Sequence, residues 1–99
     1  TVVGLTEVTD RTGKVSLLQN IPNPVSTSTR IIYELKENMP VELTLSDITG
    51  RPVMTLETGF RTAGQHSITV DCSGIPSGFY SYTLKAGDTV ITRKMIISK

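Results

Sequence analysis

The sequence predicts an all-β domain, an antiparallel β-sandwich of about seven strands. Three observations point there. Apolar and polar residues alternate with period 2, as in Ile31, Tyr33 and Leu35 against Arg30, Ile32 and Glu34. Clusters of Gly, Pro, Asn and Asp interrupt these runs at short intervals. No stretch carries the period of an amphipathic helix.

Taken in order, Thr1–Gly13 mixes Thr, Gly, Asp and Glu with isolated Val and Leu, and reads as a linker or a frayed N-terminal segment. Within it, Val2-Val3-Gly4-Leu5 could dock as an edge strand, a weaker expectation than the linker. The folded domain is expected over 14–99. Lys14–Gln19 is a first short strand. Asn20-Ile21-Pro22-Asn23-Pro24 forbids a helix, because each proline fixes its own φ and pushes the preceding residue to extended geometry. The segment reads as a rigid crossing between sheets.

Thr29–Leu35 is a strand with one buried face, and Lys36-Glu37-Asn38-Met39-Pro40 is a polar turn. Val41–Ile48 repeats the alternation with Val41, Leu43 and Leu45 inward. Asp47-Ile48-Thr49-Gly50-Arg51 closes it with a turn, which explains the Asp without an anion-binding nest. Pro52–Glu57 follows as a strand, its proline at the first position. Thr58–Gly64 is read as a loop carrying Phe60, and Gln65–Asp71 as a strand with His66, Ile68 and Val70 on one face.

The stretch Asp71–Tyr82 is expected to organise the fold. Ser73-Gly74 and Pro76-Ser77-Gly78 supply turn chemistry, in which glycine permits φ > 0. Tyr80 stands just beyond that corner. Either its hydroxyl reaches back to the corner backbone, as in the tyrosine corner of immunoglobulin-like sandwiches, or the ring is simply a core aromatic. Gly78–Ala86 and Thr89–Ser98 are the last strands, joined by the two-residue hairpin signal Gly87-Asp88. In the final strand Ile91, Met95 and Ile97 face inward and Thr92, Lys94 and Ile96 outward. Arg93 falls on the inward phase, so it should lie near a sheet edge.

At 99 residues the chain is one domain by default. Hydrophobic residues make up 37 % with no Trp, so Val, Ile and Leu must build the core. A net charge of +1 gives no electrostatic footprint for nucleic acid or an anionic membrane. Apolar runs are too short for a helical membrane span. The start shows no secretory leader, so an exported protein would carry its leader upstream. A single cysteine, Cys72, cannot form an internal disulfide.

Chemistry-bearing patterns are missing. There is no nucleophile elbow, phosphate-cradling loop, paired Cys or paired His. His66, the single histidine, reads as a strand-end residue satisfied by a carbonyl. Asp10, Asp47, Asp71 and Asp88 are the calcium candidates. Tyr33, Tyr80 and Tyr82 all fall on core faces, leaving no aromatic stripe for sugars or bases. Composition and spacing thus end at an immunoglobulin-like sandwich with no cofactor and no catalytic constellation. A binding module for glycan or protein, appended to a secreted hydrolase or adhesin, is one function such a domain serves.

Several segments in order carry a more specific resemblance. They are Gln19–Pro24, Asp47–Arg51, Ala63-Gly64-Gln65-His66, Ser73–Tyr80, and a terminal strand with Arg93-Lys94-Met95 and a final Lys99. Over roughly Leu17 to Lys99 the chain resembles the type A C-terminal sorting domains of the bacterial type IX (Por) secretion system. The resemblance implies a tail that directs an upstream, covalently linked cargo through the type IX translocon, across the periplasm and outer membrane, to the cell surface or medium. It implies removal by a sortase-like surface protease, with the cut in or just before Thr1–Gly13. It makes Gly50, Gly64, Gly74, Gly78 and Tyr80 structural signature positions. It makes Lys94, Met95, Ile96, Ile97, Ser98 and Lys99 the expected recognition element, through strand addition or an oriented charged end. Plain solubilisation of an edge strand is the competing role for the two lysines. Unpaired edges could also drive dimers.

Overall fold

The computed structural model describes the backbone of residues 7–9 and all of residues 13–99. Among them are eight strands: β1 (Glu7–Thr9), β2 (Val15–Leu18), β3 (Ser28–Leu35), β4 (Met39–Asp47), β5 (Pro52–Arg61), β6 (Gly64–Asp71), β7 (Gly78–Ala86) and β8 (Thr89–Ile97). They form two four-stranded sheets, ordered β1-β2-β3-β6 and β5-β4-β7-β8, with every pairing antiparallel. Strands β2–β8 are the seven expected from the alternation. β1 adds a short edge strand inside the segment read as a linker, and the suggested edge strand at Val2–Leu5 lies outside the described residues.

The core is the inward phase of the alternating strands. β3 gives Ile31, Tyr33 and Leu35; β4 gives Val41, Leu43 and Leu45; β7 gives Tyr82, Leu84 and Ala86; β8 gives Ile91, Met95 and Ile97. All are buried. Each such aliphatic side chain contributes roughly 1.5–3 kcal/mol by leaving water. A one-residue slip would turn every one of them to solvent, so burial fixes the register.

Three expectations need correction. The first concerns Thr58–Gly64. It is not a loop: β5 runs on to Arg61, with Thr58, Gly59, Phe60 and Arg61 paired to Glu42, Val41, Pro40 and Met39. Continuous pairing with β4 carries the strand through Gly59, whose φ of 131° is open to glycine. The two register shifts of β4–β5 lie before this stretch, within Pro52–Glu57; what hid the continuation is its exposure, with Thr58, Gly59 and Phe60 all open to solvent, which leaves no alternation to read.

The second concerns Asn20–Pro24, which does not cross between sheets. β2 and β3 are neighbours in one sheet. Ile21 pairs with Arg30, and the segment swings out to the other sheet only far enough for Val25 to bridge Ile97. Val25 is buried, which anchors the excursion.

The third concerns the corner glycines. Positive φ is found at Gly13, Gly50, Gly59, Gly64 and Gly87, and not at Gly74 or Gly78. The Cys72–Ser77 corner is held instead by the Ile75 amide on the Cys72 carbonyl, the Cys72 amide on the Thr27 carbonyl, and the Ser73 amide on the Asp71 carboxylate. The hairpin at Gly87-Asp88 is as expected. Positive φ at the first position alone selects the type II′ form.

Candidate functional site

The expected recognition residues divide by the pleat of β8. Met95 and Ile97 point into the core and are fully buried; Lys94, Ser98 and Lys99 are exposed and Ile96 is half-buried. Only this second set offers side chains to another molecule. Arg93 lies on the inward phase of an edge strand, half-buried, and its guanidinium donates to the Leu17 carbonyl at 3.1 Å. The edge position is what its charge demanded.

The backbone rim of β8 between Lys94 and Ser98 is occupied by the chain itself. The Gln19 side-chain amide donates to the Lys94 carbonyl at 2.9 Å. The Ile96 amide donates to Asn23 Oδ1 at 3.0 Å. The Val25 amide donates to the Ile96 carbonyl, and the Ser98 amide to the Val25 carbonyl, both at 2.8 Å. Segment 19–25 is therefore a strap over the last strand, and strand addition along 94–98 is blocked while it stays in place.

Lys99 is tied across the corner. Its Nζ donates to the Ser73 carbonyl at 2.7 Å, and its amide donates to Ser77 Oγ at 3.1 Å. The Asp71 carboxyl beside it is held below the usual carboxylate range, first by the Ser73 hydrogen bonds and more weakly by the Lys99 charge.

Two tyrosines of β7 split the role expected of one. Tyr80 does reach back: its hydroxyl donates to the Pro76 carbonyl at 2.7 Å. Its ring is only half-buried against the core. Tyr82 is the fully buried ring, donating to the Leu18 carbonyl at 2.8 Å and accepting from the Asn20 amide at 2.9 Å. The latter pair pins the start of the strap to the opposite sheet. The sequence had marked Tyr82 as a core residue but gave no signal for these bonds, which span 64 and 62 positions.

The remaining candidates serve structure. Asp47 Oδ1 accepts from the Thr49 amide, Thr49 Oγ1 and the Arg51 amide, so the carboxylate fills its own turn and no anion is called for. Those bonds, that of the Thr49 hydroxyl foremost, lower its pKa. His66 Nε2 donates to the Thr62 carbonyl at 2.7 Å, and the ring stacks on Tyr33 with centroids 5.2 Å apart. The Tyr33 hydroxyl donates to Glu57, which also pairs with Arg61. Burial and then that carboxylate raise the Tyr33 pKa. Burial also raises the Cys72 thiol, leaving a core residue without thiolate character. Among the described residues, no three His, Cys, Asp or Glu converge as a metal site would require; Asp10 lies outside them.

One surface feature stands out beside β8. A groove of about 440 Å³ opens where the β4–β5 turn meets β7 and β8, lined by Ile48, Gly50, Phe79, Ser81 and Lys94 among others. Ser46, Ser81 and Lys94 lie side by side across three strands there.

Segments 19–24, 47–51 and 73–80, scattered in sequence, thus frame one end of the sandwich around the last strand. Comparison with protein families matches residues 20–98 to the secretion system C-terminal sorting domain. The chain belongs to this family, the sorting domains of type IX secretion. No curated protein matches it. The sorting domain is a C-terminal signal of an exported protein, joined to a cargo, acting with the type IX machinery, and its destination is the cell surface or the medium. The family match begins at Asn20, within the strap.

Proposed function

We propose that this sorting domain passes its cargo across the outer membrane by showing the translocon a folded surface, the outward side chains Lys94, Ile96, Ser98 and Lys99. The sandwich itself catalyses nothing. The observation that supports a side-chain reading over strand addition is the strap: the rim of β8 from Lys94 to Ser98 is already bonded. After passage from the periplasm, a sortase-like protease removes the tail at a bond within or just before residues 1–13.

The test fuses residues 1–99 behind a periplasmic reporter in a type IX-competent strain. The fusion should reach the surface. Deleting Ile96–Lys99 should trap it, but that deletion also removes the core residue Ile97. Lys94→Glu with Lys99→Glu leaves the core intact and should trap the fusion as well. Surface display of the double variant at the wild-type level would sink the side-chain reading. Mass spectrometry of the surface reporter checks removal: the sandwich peptides should be missing from it. Retained peptides would mark a binding module that stays with its cargo.

A further inference from the structure

We infer that the groove between the β4–β5 turn and β7–β8 is a docking site for an extended segment of the secretion machinery that carries a carboxylate beside an apolar side chain. This rests on the proposed reading of the sorting domain and extends it from β8 to a composite surface.

Ile48 and Phe79 wall the groove and are 78 % and 64 % exposed. Neither position is needed for the core. Ile48 lies in a turn whose geometry Asp47 and Gly50 already fix. Exposed apolar side chains gathered beside a groove mark interaction sites more often than scattered ones do. Lys94 lies in the same groove with its ammonium head free of any described carboxylate, whereas Lys14, Lys36, Arg51, Arg61 and Lys85 are each in an ion pair. The Arg51 guanidinium, next to Gly50, is 81 % exposed and is held by Asp47 through Nε, so it offsets that carboxylate. Asp47 is consumed by its own turn. The groove therefore offers apolar walls and one ammonium that no carboxylate of the described residues neutralises, the complement of a segment with a carboxylate beside an apolar side chain. The exposed apolar residues of β5, Val53, Met54 and Phe60, share their strand with one cation, Arg61, and it is bound to Glu57.

In the reporter strain, Ile48→Ser with Phe79→Ser, and separately Lys94→Glu, should each lower surface display at least about tenfold. Lys94→Arg and the control Phe60→Ser should stay within about twofold of wild type. Melting temperatures of the purified chains should be unchanged, since the altered side chains are exposed. Ile48→Ser with Phe79→Ser displayed like wild type, in a strain that displays wild type and traps the variant Lys94→Glu with Lys99→Glu, overturns the groove and leaves the β8 reading standing. A wild-type fusion that stays in the periplasm removes both. The carboxylate is tested on the purified chain with a synthetic peptide of alternating leucine and glutamate and its leucine–lysine counterpart. The acidic peptide should shift the amide resonances of Ile48, Phe79 and Lys94 at a concentration at least about tenfold lower. Equal binding of the two, or none, overturns the assignment. So does a dimer in sedimentation that Lys94→Glu dissolves, which would make the occupant a second copy.

Discussion

The Tyr82 hydroxyl donates to the Leu18 carbonyl at 2.8 Å, from the middle of one sheet to the end of a strand in the other. The same oxygen accepts from the Asn20 amide, the point where the strap leaves β2. Tyr82→Phe keeps the ring and strands two buried backbone groups. It should cost about 1–3 kcal/mol in denaturant unfolding. Tyr80→Phe removes one exposed bond to Pro76 and should cost about 1 kcal/mol or less. A larger loss at Tyr80 than at Tyr82 would mean that the wrong ring has been taken as the clamp.

Alkali should separate the same ring from the rest. Burial pushes the Tyr82 pKa up to about 12. A folded value above the unfolded one, about 10, means full stability below pH 10 and a progressive loss as pH rises through 12. Tyr33 shifts in the same direction. Melting temperature should therefore fall between about pH 10 and 12 in the wild type. In Tyr82→Phe the fall should be smaller, though Tyr33 keeps it from vanishing. Equal slopes in the two proteins would count against the shift.

Glycine replacements should sort by backbone, not by proximity to the corner. Gly87 has φ of 59° at the hairpin, so Gly87→Ala should cost roughly 1–2 kcal/mol. Gly78 has no positive φ, and a Cβ there would meet the Tyr80 ring at an ordinary 3.6 Å. Gly78→Ala should stay within about 0.5 kcal/mol of wild type, with a gain allowed by the stiffer unfolded chain. Thermal melts of the two variants decide it.

Asn23→Ala should loosen the strap without touching the core. The Ile96 amide loses its acceptor at 3.0 Å, while Ile91, far along the same strand, keeps its partners in β7. Native-state hydrogen exchange should be several-fold faster at Ile96 and unchanged at Ile91. Unchanged protection at Ile96 would show that Val25 alone holds the edge.

The alternating strands were legible because burial on one face writes itself into every second residue, as at Ile31-Tyr33-Leu35 and Val41-Leu43-Leu45. Arg93 was legible by its exception: a cation on the inward phase has to sit at an edge. β5 beyond Glu57 was not, since an exposed edge strand carries little alternation, and Gly59 resembled a terminator. The strap escaped for a different reason. Its bonds to Lys94, Ile96 and Ser98 link positions more than seventy residues apart, and no local pattern encodes them. Within the expected recognition stretch, period 2 had already marked Met95 and Ile97 as inward. The groove, built from a turn, β7 and β8 together, had no linear signature at all.

The strap also decides what happens when many copies share a narrow compartment. Folded tails lying side by side cannot zip together along residues 94–98 of their final strands, because that seam is already stitched shut by each molecule's own Gln19–Val25. A neighbour's strand is left the sheet's other edge, β5, while the stitched part of β8 keeps its side chains for whichever receptor arrives.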